Sequence, residues 1–203
     1  MITNIFPTPV YEEHLEIDNS SLIDSLNSVP QVRYNSDNSS TTTTRSILEF
    51  EKFSELKNQI LAHSKKFIFD ELGFSPLELY VTSSWYNIHH NGDFSQPHTH
   101  PNSFYSGVYY LEIPKDDSGT FYFMRYHNTV CSESLAPDIM VPSPITSQQV
   151  NFYTPQGTLL IFPSHVWHGV TPNNTNERRA TIAFNLHVRG LVSGLNTKYL
   201  DLK

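Results

Sequence analysis

The second part of the chain is dominated by short runs of strand-forming residues. After Pro76 the sequence changes to segments rich in Tyr, Phe, Val, Ile and Thr, which Gly, Pro, Asn and Asp interrupt. Many short strands separated by turn residues are typical of β-sandwiches and barrels. The pattern therefore predicts a mainly β fold with seven strands, at residues 79–89, 104–113, 119–125, 149–154, 157–163, 166–171 and 179–188.

The part before Pro76 carries helical signals instead. Residues 1–18 look extended, and Asn19-Ser20-Ser21 offers N-cap chemistry to a short helix at residues 22–26. Over residues 53–72 the apolar side chains recur at a helical period, and Gly73 is a natural residue to end that helix. We expect both helices to pack on the outside of the β structure.

Two segments are predicted to be loops. Residues 35–44 contain no apolar side chain, which predicts a solvent-exposed loop. Residues 126–147 form a long insertion near the expected opening of the barrel, where it could decide substrate specificity. This insertion holds Cys131, the only cysteine, so an intrachain disulfide and a cysteine-based zinc site are excluded.

Chain length and charge narrow the class of protein. A chain of 203 residues fits one domain, which we divide into an N-terminal segment at 1–75, a β core at 76–190 and a tail at 191–203. The net charge of −7 and the lack of a basic stripe argue against a nucleic-acid partner.

The apolar runs are far shorter than the roughly 20 residues of a membrane span, and the start lacks the features of a secretion signal. We therefore expect a soluble, cytoplasmic protein without a membrane partner, and a homodimer stays open.

Three histidines have the spacing of a metal site. His98 and His100 are one residue apart, so on a strand both side chains would share a face. His168 comes much later and, from a neighbouring strand, could complete a facial set of three ligands. Such a set leaves three positions of a non-haem iron open. His89, His90 and His165 are expected at the mouth or rim of the barrel instead.

Arg179 is the candidate for binding an acidic ligand. Strand alternation places Arg179 and Thr181 on one face, which would carry the guanidinium into the barrel, while Arg178 points outward. A buried guanidinium without a partner is costly, and an anionic ligand is the simplest remedy.

An ordered set of motifs resembles a family of small iron(II)- and 2-oxoglutarate-dependent oxygenases, with prolyl-hydroxylase-like and aspartyl-hydroxylase-like members. The resemblance covers nearly the whole chain, and the order of the motifs is more specific than any one of them. It is carried by Ile5 to Val10, Trp85, His98 to Pro101, Ser106 to Tyr110, Phe162-Pro163-Ser164, His168-Gly169-Val170, Glu177, Arg179 and Thr181.

The resemblance implies a double-stranded β-helix, or jelly roll, that uses Fe(II), 2-oxoglutarate and O2. The implied reaction hydroxylates a small-molecule or peptidyl substrate and releases succinate and CO2. Carried over by position, the iron ligands are His98 and His168, and the spacing of the histidines adds His100 as the predicted third ligand. The residues implied to hold 2-oxoglutarate are Arg179, Thr181 and Tyr110, with Asn87 and Trp85 lining its pocket.

His100 departs from the family pattern. Most members have Asp or Glu at this position, and aspartyl-hydroxylase-like members have no side-chain ligand there. A third imidazole makes the site one charge more positive, which should favour a dianionic cosubstrate. The alternative is that His100 faces the substrate and iron has only two protein ligands.

Two other functions stay open from the sequence. One is a cupin-like three-histidine iron dioxygenase that does not use 2-oxoglutarate, in which Arg179 has no defined role. The other is a non-enzymatic jelly-roll binding module. Histidine ligation also predicts that iron affinity falls towards pH 5, because imidazole has an ordinary pKa near 6.5 and must be neutral to bind.

Overall fold

The computed structural model describes residues 5–34, 39–115, 117–125, 137–143, 145–192 and 200–203. Its two α-helices are α1 (Asn19–Leu26) and α2 (Ser54–Lys65), and α2 continues as a π-helix over Lys66–Glu71. Two 3-10 turns at Ile47–Glu49 and Glu51–Phe53 precede α2. The strands are β1 (Tyr11–His14), β2 (Gln31–Tyr34), β3 (Ser39–Thr42), β4 (Glu78–His89), β5 (Ser95–His98), β6 (Tyr105–Glu112), β7 (Phe121–Met124), β8 (Gln149–Phe152), β9 (Thr158–Pro163), β10 (Trp167–Val170), β11 (Arg179–Val192) and β12 (Leu200–Leu202).

The strands form two antiparallel sheets. The larger has the order β1-β9-β6-β11-β4-β3-β2, with β12 paired to β11, and the smaller has the order β5-β10-β7-β8. A buried apolar cluster joins side chains from both sheets, among them Val108, Phe121, Phe162 and Val170. The two sheets therefore pack face to face around a shared core, which is the double-stranded β-helix that the resemblance implied.

The helices cover the outer face of the larger sheet. Leu56, Ile60 and Phe67 from α2 and its π extension belong to one buried cluster with Ile88 of β4 and Ile182 of β11. Since these side chains repeat along one helical face, their burial against the sheet stabilises both elements. The prediction that the N-terminal helices pack outside the β core is confirmed.

All seven predicted strands are present, with β11 extending four residues further than expected. Gly73 follows the π-helix with a φ of 74°, so the predicted end of the long helix is also confirmed. The cap of α1 differs from the prediction. Asp18, and not the Asn19-Ser20-Ser21 run, caps this helix, because its carboxylate accepts hydrogen bonds from the Ser20 and Ser21 amides at 3.2 and 3.4 Å.

The prediction of an exposed loop at 35–44 is wrong for β3, which pairs with both β2 and β4. Its polar side chains are satisfied inside the sheet: the Thr42 hydroxyl accepts a hydrogen bond from the Tyr86 amide at 3.1 Å and donates one to the Thr44 carbonyl. Threonine is β-branched and favours strands, a signal that the polarity of the segment obscured. Strands β2, β5 and β12 were also not predicted.

Residues 35–38 lie outside the described residues, as do Cys131 and most of the predicted 126–147 loop. In the part of the chain that the structure describes, no helix is long and apolar enough to cross a membrane.

Candidate functional site

Three histidine side chains meet at one end of the sheet pair. His98 is the last residue of β5, and its partner across the ladder is His168 of β10. His100 lies two residues beyond β5, where its amide donates a hydrogen bond to the Ser164 carbonyl at 2.9 Å. One ring nitrogen from each imidazole lies within 4.8 Å of the others. The sequence had suggested that alternation along one strand brings His98 and His100 together. In the structure β5 ends at His98, and His100 belongs to the segment that follows the strand.

Backbone carbonyls orient two of the imidazoles. His98 Nδ1 lies 2.7 Å from the Gln96 carbonyl, and His168 Nδ1 lies 2.8 Å from the Val166 carbonyl. Because a carbonyl oxygen can only accept, each Nδ1 carries the proton and donates it, which leaves Nε2 of both rings with a free lone pair. Fixing a metal-binding imidazole through its other nitrogen is the usual arrangement in metalloproteins.

The spacing of the nitrogens fits a metal ion. His100 Nε2 and His168 Nε2 are 3.1 Å apart, which is close to the roughly 3 Å between adjacent ligands that each lie about 2.1 Å from a metal at a right angle. His100 also stacks on Trp85, with ring centres 5.6 Å apart. His100 and His168 therefore have the spacing of adjacent metal ligands, and a ring nitrogen of His98 lies within 4.8 Å of both.

Burial keeps two of these imidazoles neutral. It lowers the pKa of His168 to about 3 and that of His100 to about 4, and the neighbouring His98 contributes to both shifts. Protons should therefore compete with a metal for these two nitrogens at a lower pH than the ordinary histidine pKa implies.

A cavity of about 370 Å³ opens beside the histidines and holds several of the predicted residues. Trp85 and Asn87 of β4 and Arg179 and Thr181 of β11 line its wall. Tyr110 is not on the wall but lies behind it, with the Arg179 guanidinium carbon 5.2 Å from its ring centre. The predicted site residues therefore converge on one space, although they come from different strands.

Arg179 is buried without a counter-ion among the described residues. Its side chain is 1% exposed, and its Nη2 atom has no hydrogen-bond partner in that part of the chain. Burial lowers the pKa of this guanidinium and raises the pKa of Tyr110 to about 12. Arg178 does point outward, since its Nε lies 2.7 Å from a Glu112 carboxylate oxygen. The cost of burying Arg179 therefore calls for an anionic ligand.

His89 is a cavity residue that the sequence analysis placed wrongly at the mouth of the barrel. It is 2% exposed, and its Nε2 lies 3.0 Å from the Ser95 hydroxyl, while Nδ1 has no partner among the described residues. Its strand neighbour across the ladder is Arg179. The alternation Trp85-Asn87-His89 along β4 was the signal that could have found it.

Neutral buried histidines predict a loss of stability in acid. Burial lowers the pKa of His89 to about 3, with the Arg179 charge as a second cause. Below the pKa near 6.5 of a histidine in the unfolded chain, the unfolded chain takes up protons that the folded chain does not. The free energy of unfolding therefore decreases as the pH falls. Between pH 6.5 and pH 5 we expect a loss of about 2 kcal/mol from His89 and as much again from His168. Chemical denaturation of metal-free protein at pH 7 and pH 5 measures this loss of stability. The loss should be smaller in His89→Gln. An equal pH dependence of the parent and the variant would contradict the contribution assigned to His89.

A double-stranded β-helix with three clustered imidazoles and a buried arginine beside them is the combination of fold and side chains expected of a non-haem metal oxygenase with an acidic cosubstrate. Residues 83–185 match the sequence model of a family described as "Putative 2OG-Fe(II) oxygenase", where 2OG is 2-oxoglutarate. The chain belongs to this family. No curated protein sequence matches the chain significantly.

Solved structures of the same class share the fold at low sequence identity. A 2OG-Fe(II) oxygenase family protein from Burkholderia pseudomallei is 16% identical with a TM-score of 0.54, over 81% of this chain and 75% of that chain. A prolyl-4-hydroxylase from Pseudomonas putida is 12% identical with a TM-score of 0.59, over 90% and 94%. HygX from Streptomyces hygroscopicus, solved with nickel and 2-oxoglutarate bound, is 11% identical with a TM-score of 0.59, over 97% and 93%.

Proposed function

We propose that this protein is an iron(II)- and 2-oxoglutarate-dependent dioxygenase that hydroxylates a small-molecule or peptidyl substrate. One observation carries the proposal: three imidazoles that can share a metal open onto the same cavity as a buried guanidinium without a counter-ion. The histidine cluster supports the use of iron, and the buried guanidinium supports the use of 2-oxoglutarate.

The residues present fit the implied iron. His98, His100 and His168 would hold it through ring nitrogens, and the carbonyls of Gln96 and Val166 keep two of the rings in the required tautomer. When bound together, iron, 2-oxoglutarate and O2 supply the oxidising chemistry and yield succinate and CO2. The protein's own contribution is to fix the ligands before the metal arrives and to keep the reacting space partly enclosed.

The residues around Arg179 fit the distal carboxylate of 2-oxoglutarate. Arg179 Nη2, Tyr110 Oη and His89 Nδ1 are three buried polar atoms without a hydrogen-bond partner among the described residues. Strand pairing places these residues next to one another, because Arg179 of β11 lies opposite His89 of β4 and Thr181 of β11 lies opposite Tyr110 of β6. A carboxylate can accept hydrogen bonds from all of these groups and neutralise the guanidinium. We assign Arg179 as its main partner, Thr181 and Tyr110 as supporting donors, and Asn87 and Trp85 as the surrounding wall.

The same observation weighs against the two other functions. A cupin-like dioxygenase that needs no 2-oxoglutarate gives a buried, unpaired Arg179 nothing to do, although the burial of a charge is expensive. A non-enzymatic binding module gives no reason for two imidazoles, each with its Nδ1 fixed by a backbone carbonyl, to cluster with a third.

The proposed function is tested on purified, metal-free protein reconstituted with Fe(II) in the absence of oxygen. Addition of 2-oxoglutarate should produce a ferrous charge-transfer band, and exposure to O2 should then release succinate in a reaction that needs both iron and 2-oxoglutarate. Failure to take up stoichiometric iron would favour the binding module. Iron uptake without the band or succinate would favour the cupin-like enzyme.

Tyr110→Phe should weaken 2-oxoglutarate binding about tenfold or more, since it removes one hydrogen bond to a charged group. Tyr86→Phe is the matched control, because its hydroxyl is also buried and unpartnered among the described residues, yet Tyr86 belongs to the cluster that the helices cover, whereas the Tyr110 ring centre lies 5.2 Å from the Arg179 guanidinium carbon. Titration of the charge-transfer band gives both affinities. Equal affinities for the two variants would remove Tyr110 from the cosubstrate site.

A further inference from the structure

We propose that Arg45 binds a carboxylate group of the prime substrate, the compound that is hydroxylated. This inference rests on the proposed function, because it assumes that Arg179 is occupied by 2-oxoglutarate. It identifies the substrate as an acid whose carboxylate lies at the mouth of the cavity while its reacting carbon lies near the histidines.

The charged side chains that line the cavity favour a negatively charged ligand. The chain has 20 acidic residues and a net charge of −7, yet among the described residues no Asp or Glu lines the cavity. Two arginines do line it, Arg179 in the interior and Arg45 on the exposed side. One dianionic cosubstrate with its distal carboxylate on Arg179 leaves Arg45 uncompensated, so the site has capacity for a second anion.

Arg45 is held in place by contacts that do not neutralise it. Its two terminal nitrogens donate to the Thr41 hydroxyl at 3.3 Å and the Tyr34 hydroxyl at 2.9 Å, and its carbonyl accepts a hydrogen bond from the Ser84 amide. No carboxylate forms an ion pair with it within the described ranges. Arg33 of β2 differs in this respect because it pairs with the buried Asp93.

Trp85 connects Arg45 to the metal site. The Arg45 guanidinium carbon lies 5.4 Å from the Trp85 ring centre, and that ring lies 5.6 Å from the ring centre of His100. The distance from the guanidinium carbon to the centre of the His100 ring is therefore at most the sum of these two distances. A compact acid can span that distance, with its carboxylate on Arg45 and its hydrocarbon part against Val108, Phe121 and Val170 of the cavity wall.

The remaining donors of Arg45 suit a carboxylate. A guanidinium has five N–H groups, of which the Thr41 and Tyr34 contacts use two. The free groups can bind a planar carboxylate through two parallel hydrogen bonds, a geometry that lysine cannot reproduce. Because the side chain is already fixed by Tyr34 and Trp85, little conformational freedom is lost when the acid binds.

The test is calorimetric titration of protein loaded with Fe(II) and saturating 2-oxoglutarate in the absence of oxygen. The probes are straight-chain monocarboxylates of increasing length and the primary amides of the same lengths. Saturating 2-oxoglutarate keeps the acids away from Arg179. We expect at least one acid to bind saturably and its amide to bind about tenfold more weakly or worse.

Variants locate the binding energy. Arg45→Gln should lower the affinity for the acid about tenfold or more and remove the preference over the amide, while Arg45→Lys should fall in between. Arg189→Gln is the matched control, because this arginine also lies over an aromatic ring, that of Tyr80 at 4.1 Å, but is not part of the cavity wall. It should bind acid and amide as the parent does.

The outcomes separate the two proposals. The charge-transfer band of the loaded parent protein is recorded before each titration, and its absence would overturn the proposed function itself. With the band present, three results would overturn only the assignment of Arg45: no saturable binding of any acid, equal binding of acids and amides, or an acid affinity that Arg45→Gln leaves unchanged.

Discussion

Replacement of Arg179 by methionine is expected to weaken 2-oxoglutarate binding about 30-fold or more. Removing one partner of a buried, charge-assisted pair typically costs 2–5 kcal/mol or more. The metal-free variant should be at least as stable as the parent, because the guanidinium is buried without a carboxylate among the described residues and methionine fills similar space without a charge. Titration of the charge-transfer band and chemical denaturation measure the two quantities.

Arg178→Met is the natural control for this experiment. Arg178 is the preceding residue, but its side chain is partly exposed and pairs with Glu112 at 2.7 Å, a contact that contributes about 1 kcal/mol or less. Its 2-oxoglutarate affinity should match that of the parent. If Arg179→Met bound the cosubstrate normally, the cupin-like dioxygenase would become the better description of this protein.

His168→Ala should lower iron affinity by more than about 100-fold. Mutation of groups that merely support a metal ligand already costs 10–100-fold, and a direct ligand should cost more. His168 also packs against Phe162 with ring centres 4.6 Å apart, so its removal disturbs the core as well. His98→Ala, at a less buried ligand, keeps the test independent of folding. Competition with a metal chelator of known affinity gives the dissociation constants.

The same competition with a metal chelator decides whether His100 is a third iron ligand. If it is a third ligand, His100→Ala should lose iron affinity about as strongly as His98→Ala; if it only faces the substrate, the loss should stay below about tenfold. His165→Ala provides the control, since this exposed histidine lies three residues from His168 and is not part of the histidine cluster. A loss in the control as large as that in the His98 variant would refute histidine-specific ligation.

The sequence carried enough information for the β core and for most of the site. The seven predicted strands between Glu78 and Val192 are runs rich in apolar and aromatic residues that turn residues separate, which is a local signal. The convergence of His98, His168 and Arg179 is not local, yet strand alternation and the order of the motifs were sufficient to nominate them. Arg179 followed from alternation along β11 alone, because a charged residue on the inward face of a strand stands out among apolar neighbours.

What the sequence did not reveal depends on long-range pairing of polar segments. Strand β3 contains only serine and threonine, so nothing in its local pattern distinguishes a strand inserted beside β4 from an exposed loop. Missing β3 meant missing Thr41 and Arg45 as cavity residues. His89 was misplaced for a related reason: the Asn91-Gly92 turn signal after it outweighed the alternation that continues to the end of β4.

The pairing of His98 with His168 has a mechanical consequence. β5 is the outermost strand of its sheet and is held by one neighbour, β10. A metal bound by both histidines would hold that outer strand in place, since it would connect the last residue of β5 to a residue inside β10. Without the metal this end of β5 can separate from β10. Amide hydrogens in β5 should therefore exchange with solvent faster in the apoprotein than in the metal-bound protein, so metal binding and local order should increase together.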